Sequence, residues 1–190
     1  MEEQKIDRRV RKTKSQLRQA LMQLMTEKPF KSISVRELSE RADINRGTFY
    51  IHYRDVSDLL QHLEDEMAER LITVCRKYAY TDIAVKAFPY LTELYRFAQE
   101  NADLCQVLLG PNGDRVYTER ICSILHSYFL RDFVARFYSG DRDRLEYFCR
   151  FIVSGNLTLT LQWLSSGTKE TPEEMAQLAG GIIMDGVRAL

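Results

Sequence analysis

The sequence predicts an all-α protein: an N-terminal three-helix helix-turn-helix domain over 1–55 and a C-terminal helical bundle domain over 56–190, about nine helices in total. Three observations carry this. Apolar residues recur at spacings of three and four along most of the chain, and β-branched alternation is rare. Only 4 Pro and 9 Gly interrupt 190 residues, which leaves little room for long loops. The stretch from Ser34 to Tyr53 carries capping and turn residues where two short helices would meet at a tight turn.

The first helix is expected over 8–27. Val10, Leu17, Ala20, Leu21, Leu24 and Met25 fall on one face of it, and its opening is a run of cations: Arg8, Arg9, Arg11, Lys12 and Lys14. Lys28-Pro29-Phe30 ends it. Ser34 with Glu37 forms an S-x-x-E capping box that starts the second helix near residue 35, with Val35, Leu38 and Ala42 on its buried side. Asp43 stands where the turn needs a residue that tolerates positive φ. Ile44 can plug the angle between the helices, and Asn45 is a strong N-cap for a helix over roughly 46–52.

Asp55 or Ser57 then starts a long helix, with Val56, Leu59, Leu60, Leu63, Met67, Leu71, Val74 and Tyr78 along one side. Twenty or more residues without a breaker make a rod of over ~30 Å, suited to linking the front to the rest. Further helices are expected over roughly 84–100, 102–109, 114–138, 142–166 and 172–189. Pro89 should kink or begin its helix. Gly110-Pro111-Asn112-Gly113, Ser139-Gly140-Asp141 and Ser165-Ser166-Gly167 are breaks, and Thr171-Pro172-Glu173-Glu174 is a helix start.

A content of 45% hydrophobic residues suffices for a sizeable core. The net charge is zero but unevenly spread. Residues 1–58 hold 13 Lys/Arg against 9 Asp/Glu, and residues 59–190 hold 14 against 18. A basic front on an acidic body suggests that the front meets a polyanion. Cys75, Cys105, Cys122 and Cys149 form no CxxC pair and read as small core residues. There is no charged-plus-apolar leader and no run of 18 apolar residues, so a cytoplasmic protein with no membrane contact is expected. No metal-spaced His/Cys/Asp cluster, Ser-His-acid set, P-loop or dinucleotide glycine pattern occurs, so neither a cofactor nor an enzyme is expected. His126, on an apolar helix, reads as a core or pocket histidine.

The helix over 46–52 carries what a DNA-reading helix needs near its N-terminal end. Arg46 can pair bidentately with guanine, and Gly47 lets the backbone approach the groove. Thr48 can touch a thymine methyl or a phosphate, while Tyr50 and His52 can donate to phosphates. Phe49 and Tyr53, four apart, face inward as anchors. Arg36 can reach a base or phosphate, and Thr13 and Lys14 can hold the DNA backbone.

Ser34-Val35-Arg36-Glu37-Leu38, Ala42-Asp43-Ile44-Asn45-Arg46-Gly47-Thr48-Phe49-Tyr50, His52-Tyr53 and Leu59-Leu60 together resemble the N-terminal domain of TetR-type transcriptional regulators, over roughly 8–60. The resemblance implies an Ω-shaped homodimer with two DNA-reading heads. Base contacts would fall on Arg36, Arg46, Gly47 and Tyr50, and phosphate contacts on Ser34, Thr48, Tyr50 and His52. Two positions depart from the family pattern. Asp43 stands where the family usually has Gly, and Val56 stands where it often has a phosphate-touching Lys; Arg54 is the candidate substitute. Phe88-Pro89-Tyr90-Leu91, Glu100-Asn101, Leu108-Leu109-Gly110, Asn112-Gly113-Asp114 and Gln162-Trp163-Leu164 with Gly167 and Thr171-Pro172-Glu173-Glu174 resemble the C-terminal domain of DhaS-like relatives, over roughly 85–185. Some such relatives are co-activators that bind another protein, so the alternative is a co-regulator with little DNA reading of its own.

The last two helices, residues about 145–188, are expected to form the homodimer. Met175, Leu178, Ala179, Ile182, Ile183, Gly186 and Val187 make a stripe, Gly180 and Gly181 allow close approach, and the preceding helix is apolar nearly all round. Two subunits would then match double-stranded DNA with a palindromic operator. A small-molecule effector, of unknown identity, is expected in the body, in a pocket between Tyr90, Leu94, Phe97 and Leu125, Phe129, Phe151. The expected activity is that of a ligand-responsive repressor.

Overall fold

The computed structural model describes residues 2–78, 89–137 and 141–188; the side chains of 2–7, 78, 129–137 and 187–188 lie outside the described set. The described residues form nine α-helices and no strand: α1 (Glu2–Glu27), α2 (Val35–Arg41), α3 (Arg46–His52), α4 (Val56–Tyr78), α5 (Pro89–Glu100), α6 (Ala102–Leu108), α7 (Arg115–Phe137), α8 (Arg142–Ser165) and α9 (Pro172–Arg188). A 3-10 turn, Phe30–Ser32, follows α1. The helical class is therefore as expected. α1 starts earlier than residue 8, and the described part of α5 runs from Pro89 to Glu100. The expected first turns at 84–88 lie outside the described residues.

The chain divides into two compact units. One holds residues 1–67 and 107–114, the other 68–106 and 115–190. In the first, α1 packs on α2 and α2 on α3. Its core joins Leu17, Leu21, Leu24 and Met25 of α1 to Leu38, Phe49, Tyr53, Val56, Leu59 and Leu60. Each fully buried Leu or Phe stabilises the unit by about 1.5–3 kcal/mol relative to exposure. The loop at 110–113 belongs here. Asn112 donates through its side-chain amide to the Met25 carbonyl at 3.0 Å and accepts from the Phe30 N–H at 3.4 Å. Gly113 sits so close to α6 that a Cβ would lie 2.1 Å from the Leu108 carbonyl oxygen.

In the second unit α5 packs on α9 and α8, and α8 on α7 and α9. Tyr95 and Trp163 meet edge to face, ring centres 5.6 Å apart. Both polar tips are satisfied: Tyr95 donates to Asn156 Oδ1 at 3.0 Å, and Trp163 Nε1 donates to the Glu170 carbonyl at 3.1 Å. α9 opens with a reciprocal capping box. Thr171 N–H donates to Glu174 Oε2 at 2.7 Å, and Glu174 N–H donates to Thr171 Oγ1 at 3.2 Å. The expected apolar stripe of α9 splits. Met175, Ala179 and Ile183 are buried, while Leu178 and Ile182 face solvent; the Val187 side chain lies outside the described set. On α9, a Cβ at Gly186 would lie 2.6 Å from the Phe148 ring, whereas around Gly181 there is open space.

Among the described residues no helix is long and apolar enough to cross a membrane, and no group of His, Cys, Asp or Glu is arranged to hold a metal ion. All four cysteines are free thiols, three buried and Cys122 half-buried. His126 is half-buried, with Nε2 3.2 Å from Glu146 Oε2, between α7 and α8.

Candidate nucleic-acid interface

The turn between α2 and α3 is built from its residue types. Ser34 caps α2, its Oγ accepting from the Glu37 N–H at 3.2 Å. The reverse half of the expected capping box does not form, because Glu37 turns instead to Lys28 Nζ, 2.7 Å away. Asp43 takes φ 53°, in the left-handed region, as the turn demands. The Ala42 carbonyl before it accepts from Gln16 of α1 at 3.4 Å, and the Ile44 N–H donates to the Ser39 carbonyl at 3.0 Å. Asn45 caps α3 through Oδ1, which accepts from the Gly47 N–H at 2.8 Å.

Phe49 is fully buried and Tyr53 nearly so, their ring centres 5.9 Å apart. They fix which side of α3 faces the core. Gly47 and Ile51 (77% exposed) lie opposite it, and Arg46 and Tyr50 (59% exposed), nearer to Phe49 round the helix, are exposed as well. Thr48 and His52 are half-buried. Ser34 and Arg36 are exposed at the start of α2, and on α1 Lys14 is exposed and Thr13 half-buried. The sequence carries no signal that sets Ile51 apart; its exposure follows from the inward side being fixed at Phe49.

The cations differ in their freedom. Among the described residues Arg46 meets no carboxylate at ion-pair distance. Arg36 Nε lies 2.9 Å from Glu40 Oε1 on the next turn of α2, both side chains well exposed. An exposed pair of this kind is worth about 0.3–0.5 kcal/mol, so releasing Arg36 to another anion costs little. Arg54 is more firmly engaged. Asp58 accepts from the Arg54 backbone N–H at 2.9 Å and from its guanidinium at 3.1 Å. These bonds, the backbone one foremost, hold the Asp58 carboxyl below its ordinary range. Val56, at the position that departs from the family pattern, is buried in the core of the first unit.

The second unit holds a small cavity of about 50 Å³. Tyr90, Leu91, Leu94, Leu125, Ile152, Val153, Asn156 and Ile183 line it. Three of the six expected pocket residues, Tyr90, Leu94 and Leu125, are among them. Phe97 is buried outside the lining. Phe151 does not line it either: it is 70% exposed, because α8 turns Ile152, Val153 and Asn156 to the cavity and so directs the residue before them outward. The Phe129 side chain lies outside the described residues.

Comparison with known proteins gives this geometry a family. The family described as bacterial regulatory proteins, tetR family, matches residues 17–63. The family described as transcriptional regulator C-terminal region matches residues 86–185, more than half of the chain. The chain belongs to the TetR family of transcriptional regulators. The TetR-type helix-turn-helix comprises α2, the turn at Asp43 and α3. An uncharacterized HTH-type transcriptional regulator of Bacillus subtilis, YxbF, is 32% identical over 71 residues, a stretch that spans 37% of this chain and 19% of that protein. A TetR transcriptional regulator from Streptococcus agalactiae shares the fold with a TM-score of 0.66 and 22% identity, over 93% of this chain and 96% of that one. The dihydroxyacetone kinase operon activator DhaS does so with a TM-score of 0.58 and 19% identity, over 94% and 97%. TetR-family proteins are regulators of transcription, not enzymes.

Proposed function

We propose that this regulator is a homodimer that reads a palindromic DNA operator through α3 and answers to a small molecule in its C-terminal unit. The observation that carries the reading is the solvent face of α3. It joins an exposed Arg46 that meets no carboxylate among the described residues, a bare Gly47 and an exposed Tyr50, on a helix anchored by the buried Phe49. Arg46 is assigned to guanine, with Arg36 beside it once released from Glu40. Ser34, Thr48, Tyr50 and His52 are assigned to phosphates, with Thr13 and Lys14 holding the backbone. Arg54, spent on Asp58, contributes less.

Dimerisation is assigned to α8 and α9. Tyr147 and Phe151 stand four apart on α8, Leu178 and Ile182 four apart on α9, and all four side chains are more than half exposed. Such stripes on two neighbouring helices suit a four-helix interface with a second copy. Effector binding is assigned to the cavity by Tyr90 and Asn156. At about 50 Å³ it falls well short of the roughly 300–1,000 Å³ of a drug-sized site, so an effector of that size must spread α5, α7 and α8. A coupling of about 1–3 kcal/mol from such spreading would change operator occupancy severalfold or more. Repression is the proposed sign, and the DhaS likeness keeps activation as the other outcome.

Selection of bound duplexes from a randomised pool tests the reading. Enrichment of a palindrome with guanine in each half is expected. Recovery of no sequence preference, together with a stoichiometric protein partner, would favour the co-regulator alternative.

A further inference from the structure

We propose that Ile51 is a specificity-determining residue that reads a thymine methyl group in the major groove. This rests on α3 being the DNA-reading helix and adds a base identity to that reading. Gly47 and Ile51 stand at i and i+4 on the helix side opposite Phe49, with the exposed Tyr50 at its edge. Ile51 is 77% exposed, more than any other large apolar side chain among the described residues. A single exposed aliphatic group is ordinary on a protein surface; this one stands on the face that would meet DNA.

The chemistry of the groove decides what such a group can face. Set against a phosphate oxygen, or against the amino group of adenine or cytosine, it would strip water from a polar atom and return no hydrogen bond. The C5 methyl of thymine is the apolar group that the major groove offers, and it loses nothing by leaving water. Isoleucine suits the contact because its β-branched side chain has one strongly preferred χ1 in a helix, so little rotamer freedom is lost on docking. Burying one methyl-sized group corresponds to about fourfold in Kd for each half-site contact. Gly47, one turn earlier, lets the helix approach closely enough for a side chain of this length to touch the base edge.

The test starts from the duplex enriched out of a randomised pool. Each thymine is replaced singly by deoxyuridine, which removes the methyl and leaves the hydrogen-bonding edge intact. Kd is measured for the wild type and for Ile51→Ala, whose exposed site should leave the thermal midpoint unchanged. One position per half-site should show about a fourfold loss in the wild type and none in Ile51→Ala. Equal methyl dependence in both proteins, or none at any thymine in the wild type, would overturn the inference while leaving DNA reading intact. Enrichment of no duplex at all would overturn DNA reading, and this inference with it.

Discussion

Asn112 donates its side-chain amide to the carbonyl of Met25 at 3.0 Å, across 87 positions of sequence. The last carbonyls of α1 have no partner within the helix, and this loop supplies one. Phe30 N–H, just past the helix, donates back to the Asn112 carbonyl at 3.4 Å. The end of α1, whose inner face carries the recognition unit's core, is thus held by a residue far outside the helix-turn-helix sequence.

Asn112→Ala should therefore cost the first unit about 0.5–1.5 kcal/mol, read as a lowered denaturation midpoint. Gly113→Ala should cost more, about 1–3 kcal/mol, because its Cβ would be driven to 2.1 Å from the Leu108 carbonyl oxygen, which is backbone and cannot rotate away. Equal and negligible effects would contradict the assignment of this loop to the unit's packing.

Asn45→Ala should destabilise by about 1 kcal/mol, since the Gly47 N–H loses the acceptor 2.8 Å away. The loss should also weaken binding to any operator, because it frays the end of α3 that carries Arg46. Asn45→Ser, a neutral cap, should restore most of both, which separates the cap from a direct base contact.

The acid response has a definite sign. Arg54 holds Asp58 ionised, so the folded carboxyl titrates below its unfolded value near 3.8. Its contribution to stability is complete above that value and is lost as pH falls through the depressed folded one. Asp58→Asn should remove this part of the acid dependence, measured as denaturation midpoints from pH 6 to pH 2, roughly spanning the titration. An unchanged slope would contradict the pairing.

Burial pushes the thiol of Cys105 up to about 12 and that of Cys149 up to about 11. Neither presents a thiolate near neutrality, so an aromatic disulfide reagent should leave both unlabelled in native protein and label all four cysteines in denaturant. Rapid native labelling of Cys105 would contradict the packing of α6.

What was legible in the sequence is what local chemistry decides. Ser34, Asn45 and Thr171 start helices because a side-chain oxygen meets a free N–H two or three residues on, and Asp43 marks a turn because few residues accept its φ. The inward side of α1 followed from spacing alone. Illegible were choices made between distant segments. Glu37 turns to Lys28 rather than back to its cap, and Asn112 turns to Met25. The division of the α9 stripe into buried Ile183 and exposed Ile182 depends on where its main packing partner α5 lies, which periodicity does not specify. Phe151, expected at the pocket, stands outside the cavity lining for a similar reason: one position on a helix is a turn of about 100°, enough to exchange cavity for solvent.

The central claim is that α3 reads bases through Arg46. Its most direct measurement is the Kd of wild type and Arg46→Ala for the enriched duplex and for versions with each guanine replaced. The account predicts a loss of roughly 5- to 150-fold for Arg46→Ala, matching about 1–3 kcal/mol, together with loss of discrimination at one guanine per half-site. Equal affinity of the two proteins, with guanine discrimination retained, would contradict it.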